Sequence, residues 1–399
     1  MARSATREPV ALVLAGGGAR GAYEAGALSV LLPVLEARGE RPRVLVGTSA
    51  GALNVSFVAA NAHRPVDEIA ASVVAEWETM RWGKVVRPLL SPASLLRAGE
   101  YAAEFAGLPR ARLTSLLDPE PLTRTLGSVI DCGRLADNVT AGLLDAVAVV
   151  ATSALTGRSV VFHCGLASPP TDRRRAIDYV ATPIGEEQIL ASAAIPGLFP
   201  AVNVTEPERA RGWYTDGGTR LNTPIKPALA LGAARVVVIA LNSLAPGPAR
   251  LAGEHRPDAL EGVGQILVSL LGDQLVTDMR TLATINDLVA QVTPGPAITK
   301  RRVPYIVVAP AERDSIAQRA LRVIRERYRG PLAALRAPDI ALLDRALAGG
   351  TDAAHAELLS FLLFAPEFAR ALIALGREDA QRWCDGAHDD GIWQVGPLP

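Results

Sequence analysis

The stretch Arg43-Val44-Leu45-Val46-Gly47-Thr48-Ser49-Ala50-Gly51-Ala52-Leu53-Asn54 constrains this chain more than any other. A short apolar run stops abruptly at Gly-x-Ser-x-Gly and continues into small, helix-compatible residues. That order reads as strand, sharp turn, helix, with Ser49 at the bend: a nucleophile elbow. Such a bend holds the serine hydroxyl out over the sheet edge, and Gly47 and Gly51 are needed because larger side chains would collide there. The following helix aims the positive end of its dipole at the serine oxygen, which favours an alkoxide or a nearby oxyanion. By itself the motif is weak in a chain with 35 glycines, so its meaning rests on what else reaches the same edge.

The residues before the elbow supply a matching unit. Residues 9–15 read as a buried strand bounded by Pro9 and a glycine cluster. The cluster, Gly16-Gly17-Gly18-Ala19-Arg20-Gly21, opens a helix over about 22–37, in which Pro33 predicts a kink or an early end. Strand, glycine loop, helix, strand, elbow, helix is the opening of a parallel α/β sheet. Residues 65–81 read as a helix with Ile69, Val73, Val74 and Trp77 on one face, 82–118 as an irregular stretch suited to cap a site, and 121–130 as a helix. Residues 147–152 and 159–162 alternate as the strands of a hairpin, and 171–177 form a charged loop. A short helix over 186–194 and strands over 201–204 and 213–214 lead to Thr215-Asp216-Gly217-Gly218. After a helix over 225–231, residues 235–240 form the clearest central strand, and a strand over 303–309 is expected to rejoin the sheet. Residues 243–257, rich in Pro, Gly and Arg, read as a linker. The expected division is therefore a domain over 8–245 that carries the motifs and a mostly helical C-terminal extension over 246–399.

Gly16-x-Gly18-x-x-Gly21 is a literal match to the dinucleotide fingerprint, which makes a nucleotide-binding oxidoreductase a competitor. That fingerprint also needs an acidic residue at the end of the second strand, where this chain has Gly47-Thr48-Ser49. The other use of such a loop is an oxyanion hole, in which unobstructed backbone N–H groups converge on a developing negative oxygen. A serine also needs a base. The histidines, His63, His163, His255, His355 and His388, lie in no context that aims them at the elbow, and they read as surface or satisfied core residues. Asp216 follows the aromatic pair Trp213-Tyr214 and precedes Gly217-Gly218, so its carboxylate is presented at a strand end. Alone this would be an Asp-Gly turn; beside the other two motifs it reads as the base.

Taken in order, Gly16–Gly21, Gly47-Thr48-Ser49-Ala50-Gly51, Ala191-Ser192-Ala193-Ala194-Ile195-Pro196 and Asp216-Gly217-Gly218 resemble the patatin-like phospholipase family over roughly residues 10–240. The resemblance implies a three-layer α/β/α fold with a mainly parallel sheet. It implies a dyad of Ser49 and Asp216 without histidine, and an oxyanion hole at Gly16, Gly17, Gly18 and Ala19. Arg20, Gly47, Gly51, Gly217 and Gly218 would support the site, with Arg20 either bracing the loop or meeting a lipid phosphate. Ser192 and Pro196 would position the sheet edge. The implied activity is hydrolysis of carboxylic ester bonds of phospholipids or related lipids through an acyl-enzyme, with no metal and no cofactor. Acyl transfer by the same dyad and lipid binding without turnover stay open as alternatives.

Composition bounds the rest. The 399 residues are 49% hydrophobic, enough for a large core, and 41 basic residues balance 41 acidic ones, which argues against nucleic acid held by overall charge. Cys132, Cys164 and Cys384 are widely spaced and read as reduced structural thiols, so the expected location is cytoplasmic, with peripheral attachment to a membrane left open. Arg3 and Arg7 ahead of residues 10–15 mimic a signal peptide, but cleavage would fall in the glycine loop. No apolar run reaches the ~20 residues of a membrane span. Residues 315–329 set Ala317, Leu321, Ile324 and Tyr328 on one stripe beside Arg319, Arg322, Arg325, Arg327 and Arg329. This basic amphipathic pattern fits either anionic lipid or an ordinary packed helix. Residues 82–96 are a second candidate for membrane docking or a lid. Two apolar helical segments, 358–364 and 368–375, are expected to end at Gly376 and to serve core packing or a subunit contact, which leaves a homo-oligomer open. Residues 384–399 read as a loosely attached tail.

Overall fold

The computed structural model describes residues 8–89, 91, 92, 94, 115–165, 168–245, 274–291, 301–329, 336–347 and 352–398. Its strands are β1 (Val10–Leu14), β2 (Val44–Thr48), β3 (Ala146–Ser153), β4 (Ser159–Gly165), β5 (Ile177–Ala181), β6 (Val202–Val204), β7 (Gly212–Asp216), β8 (Arg235–Ile239) and β9 (Tyr305–Val308). They form one sheet in the order β5-β4-β3-β2-β1-β8-β9, with β7 paired to β3 and β6 to β7. From β3 to β9 the path is parallel throughout, and every residue of β1 and β2 is buried. Strands covered on both faces need continuous apolar runs, which is why these segments are Val- and Leu-rich instead of alternating. β5 follows directly on the charged loop expected over 171–177, in a stretch for which the sequence pattern gives no element. Its Ile177-Asp178-Tyr179-Val180-Ala181 alternation suits a half-buried edge strand.

The helices are α1 (Gly21–Ala37), α2 (Ala50–Ala60), α3 (Val66–Glu78), α4 (Trp82–Val85), α5 (Glu120–Val129), α6 (Cys132–Thr140), α7 (Glu186–Ser192), α8 (Gly218–Leu221), α9 (Ile225–Ala230), α10 (Gln274–Gln291), α11 (Ser315–Val323), α12 (Pro338–Leu347), α13 (Asp352–Leu362) and α14 (Pro366–Asp385). They flank the sheet to give the expected three-layer α/β/α arrangement. α1 continues through Pro33 to Ala37, so the proline does not end it. Much of the stretch read as a cap, including Leu90, Leu95 and Leu96, and most of the expected linker lie outside the described residues.

Register explains how two distant segments meet. β1, β2 and β8 end level with one another, since Leu14 pairs with both Gly47 and Ile239. The glycine loop and the elbow therefore leave the sheet at the same edge. On β3, Val150 pairs with Thr48 of β2, and the next residue, Ala151, pairs with Asp216 of β7. β4 holds the other edge of β3 along its length. β7 thus lies on the β2 side and runs toward it end to end, which carries Asp216 to the tip of the strand that precedes Ser49.

The region beyond residue 245 differs from expectation in two places. α14 does not end at Gly376 but runs on to Asp385. This glycine serves close packing: a Cβ there would stand 2.1 Å from Tyr23 O, and one on Gly26 would stand 2.2 Å from Ile373 O. The two glycines let α1 and α14 cross at near backbone contact. The last residues are anchored, not loose. Trp393 is fully buried and donates from Nε1 to Glu40 (3.0 Å), Gln394 bridges to Tyr305, and Asn286 Nδ2 donates to Val395 O (2.9 Å). A buried indole with its N–H satisfied gives a chain end what it needs to stay docked.

A test of the helix crossing is Gly376→Ala, which forces the helices apart. Urea unfolding is expected to show a loss of about 1–3 kcal/mol. Gly83→Ala, where a Cβ meets nothing within 4 Å, is expected to change stability by less than about 0.5 kcal/mol. Equal effects at the two sites would refute the packing role.

Candidate active site

Ser49 sits at φ 53°, ψ −121°, a left-handed conformation that a non-glycine residue adopts only under constraint. Holding it there costs about 1–3 kcal/mol, which the surroundings must offset. They do so by close packing. A Cβ on Gly47 would lie 2.2 Å from Gly51 O, and one on Gly51 would lie 2.5 Å from Leu14 O. The turn is therefore pressed both on itself and on the neighbouring strand, as the elbow reading requires. The Ser49 N–H donates to Ser192 Oγ (2.9 Å), and Ser192 Oγ in turn donates to Val150 O (2.6 Å). Ser192 thus ties the elbow to β3, the positioning part expected of it.

The glycine loop lies alongside. A Cβ on Gly16 would stand 3.0 Å from Ser49 Cβ and 2.5 Å from Asn222 Oδ1. The Gly16 N–H is already engaged by Asn222, through both its backbone O (3.2 Å) and its Oδ1 (3.1 Å). Of the four expected oxyanion donors, Gly16 is therefore the one held as an anchor. Gly18 and Ala19 open a single 3-10 turn over Gly18–Arg20, where a helix start leaves N–H groups without an intrahelical acceptor. Gly18 has φ 58°, which glycine adopts without strain.

Asp216 is fully buried. Its Oδ1 accepts the N–H of Gly218 (2.7 Å), and its own N–H donates to Ala194 O (2.8 Å). Gly217 has no room for a side chain, since a Cβ would lie 2.3 Å from Val150 O. Burial raises the carboxyl pKa from 3.8 to about 7, against the lowering pull of the Ser49 hydroxyl and the Gly218 N–H. The Ser49 hydroxyl is thus near enough to act on the carboxyl, but no bond of formed geometry joins them, and Oδ2 is buried without a partner. Hydrogen bonds of this kind are commonly loose without substrate and tighten when it arrives.

Arg20 takes the bracing part. It is buried, pairs with Glu357 (2.7 Å), donates to Ser360 Oγ (2.8 Å from Nε) and stacks 3.7 Å over the Phe361 ring. Removing one partner from such a buried pair costs about 3–5 kcal/mol. Behind the loop, Glu24 Oε2 accepts from Asn54 Nδ2 (2.7 Å), and Asn54 Oδ1 accepts from Trp77 Nε1 (2.8 Å). This chain of polar contacts joins α1, α2 and α3 behind the site. Sequence reasoning missed Asn222, Glu24 and Asn54. A signal existed for Glu24, a lone carboxylate among small apolar residues, whereas Asn222 has no distinguishing context. Beside Ser49 lies a cavity of about 40 Å³, lined by apolar residues including Leu53, Trp77, Met80, Leu122, Ile195 and Phe199 and by Phe361, Leu362 and Phe364 of the α13 end. Among the described histidines, none lines it.

The Patatin-like phospholipase family matches residues 12–229, more than half of the chain, and the protein belongs to that family. It is a lipid ester hydrolase. The solved structures it is similar to include VipD from Legionella pneumophila (14% identity, 95% of this chain and 88% of that chain, TM-score 0.33). They also include human GIVD cytosolic phospholipase A2 in complex with methyl gamma-linolenyl fluorophosphonate (13% identity, 96% and 58%, TM-score 0.39). A third is the heterodimeric ExoU–SpcU complex from the type III secretion system of Pseudomonas aeruginosa (16% identity, 94% and 76%, TM-score 0.26). This chain spans just over half of the human enzyme's length. No curated protein matches the sequence.

The buried carboxyl has a stability consequence. With a folded-state pKa near 7 against 3.8, Asp216 holds its proton more tightly when folded, so it contributes most below pH 4 and progressively opposes folding as pH rises to 7. Asp216→Asn is therefore expected to raise the melting temperature at pH 8, by an amount equivalent to at most about 4 kcal/mol. The gain should vanish near pH 3.5; a gain independent of pH would contradict the assignment.

Proposed function

We propose that the protein cleaves carboxylic esters of lipids through a Ser49–Asp216 dyad and an acyl-enzyme. The observation that carries this reading is the buried Asp216 carboxyl with an unpartnered oxygen at the strand end facing the strained Ser49. Asp216 takes the Ser49 hydroxyl proton as Oγ attacks the ester carbonyl, and the N–H groups of Gly17, Gly18 and Ala19 stabilise the tetrahedral oxyanion. The proton then passes to the departing alcohol, leaving an acyl-serine. Water attacks that ester with Asp216 again as base, which releases the fatty acid and restores Ser49. A carboxylate of ordinary pKa is a poor base for a serine, and burial to about 7 is the correction this chemistry needs.

For contact with a lipid surface, the exposed Arg322, Arg325 and Arg327 are the proposed basic face. Ile316, Ala317, Ala320 and Val323 of α11 are buried in the protein, so this helix offers charge and not an apolar stripe. No single described helix is long and apolar enough to cross a membrane.

Ser49→Ala should abolish hydrolysis of a short-chain nitrophenyl ester and covalent labelling by a fluorophosphonate, and Asp216→Asn should lower turnover about 10²–10⁴-fold. In the wild type, kcat/KM should rise with pH to a plateau, with an apparent pKa about 7. Full activity in a folded Ser49→Ala protein would end the proposal.

A further inference from the structure

The apolar cavity beside Ser49 is closed by residues from far beyond the family-matched region. Phe361, Leu362 and Phe364, at the C-terminal end of α13 and in the turn before α14, form one of its walls and are themselves buried. This wall is fixed to the glycine loop. The backbone O of Phe361 fills the space a side chain on Gly18 would need, at 2.4 Å from a notional Cβ. The Arg20 guanidinium clamps the same turn through Glu357, Ser360 and the Phe361 ring. Moving the wall would break a buried ion pair and strip Gly18 of its packing, so the wall does not swing aside on its own.

The room left is small. The cavity, about 40 Å³, is bounded almost wholly by apolar side chains, as suits the start of an acyl chain. Ser49 itself is buried at the edge of this cavity. We infer that Phe361, Leu362 and Phe364 set the acyl-chain preference of the enzyme. This inference rests on the Ser49 acyl-enzyme reading. It assigns specificity to a part of the chain that the family's shared motifs do not reach.

The test measures kcat/KM for nitrophenyl butyrate and nitrophenyl decanoate and takes the decanoate-to-butyrate ratio. Leu362→Ala and Phe364→Ala are used because their backbones do not press on Gly18. Each is expected to raise the ratio at least tenfold by enlarging the cavity, whereas Leu362→Phe is expected to lower it. Opposite shifts from enlarging and filling variants exclude a general folding defect as the cause, and labelling by a fluorophosphonate reports that Ser49 remains competent. A ratio that stays within twofold in all three variants, or shifts the same way in all three, overturns the inference while leaving the dyad standing. Hydrolysis of both esters by Ser49→Ala would instead remove the reading beneath it.

Discussion

The rest of the site depends on one constraint: the Asp216 carboxyl is kept out of water. Without burial it would be an ordinary, weakly basic carboxylate, and the proposed dyad would lack a base, since no described histidine lines the site. Among the described residues, burial is achieved by topology. β7 runs into the end of β2 along the free part of β3, and the tight Gly217 turn folds directly onto Val150 O. One hydrogen bond, from Gly218, is enough to fix Oδ1 while leaving Oδ2 unsatisfied. An unsatisfied buried carboxylate oxygen is unfavourable in a protein at rest, and the same oxygen is poised to take a proton.

The glycines of the site answer a second requirement, that three chain segments come within backbone contact of one another. Gly16 against Ser49, Gly51 against Leu14 O and Gly217 against Val150 O are separate contacts with one effect: they hold Ser49, the glycine loop and Asp216 too close together for a Cβ on any of these glycines. Ser49 keeps its left-handed backbone because every neighbour is already at contact distance. The Arg20 brace and the Glu24–Asn54–Trp77 chain stiffen the loop and the elbow helix from behind, so that little rearrangement is needed as charge develops.

What could be read from the sequence follows from how local each demand is. The elbow, the glycine loop and the Asp-Gly-Gly turn each require particular residue types within a few positions, so Ser49, Gly18 and Asp216 stood out before their contacts were known. The central strands were legible for a similar reason, since burial on both faces forces an uninterrupted apolar run. The pocket wall and the brace were not legible, because Phe361 and Glu357 are ordinary helix residues whose meaning comes from a partner more than 300 positions away. Gly376 was misread as a terminator because glycine ends helices and also lets helices touch, and only the facing Tyr23 O distinguishes the two uses. The final residues looked like a tail from their Asp, Gly and Pro content, which concealed the one residue that matters, the buried Trp393.

The reach of the Arg20 brace bears on when the enzyme becomes whole. Its hydrogen bond to Ser360 spans 340 positions, and the tie from Trp393 to Glu40 spans 353. During synthesis the glycine loop emerges long before its clamp and the wall of its pocket, which follow more than 300 residues later. Contacts of such high sequence separation form late and slowly. A chain made only as far as Asp216 therefore carries Ser49 and Asp216 without the residues that complete the pocket beside them, and that pocket is assembled only after residues 357–364 have followed.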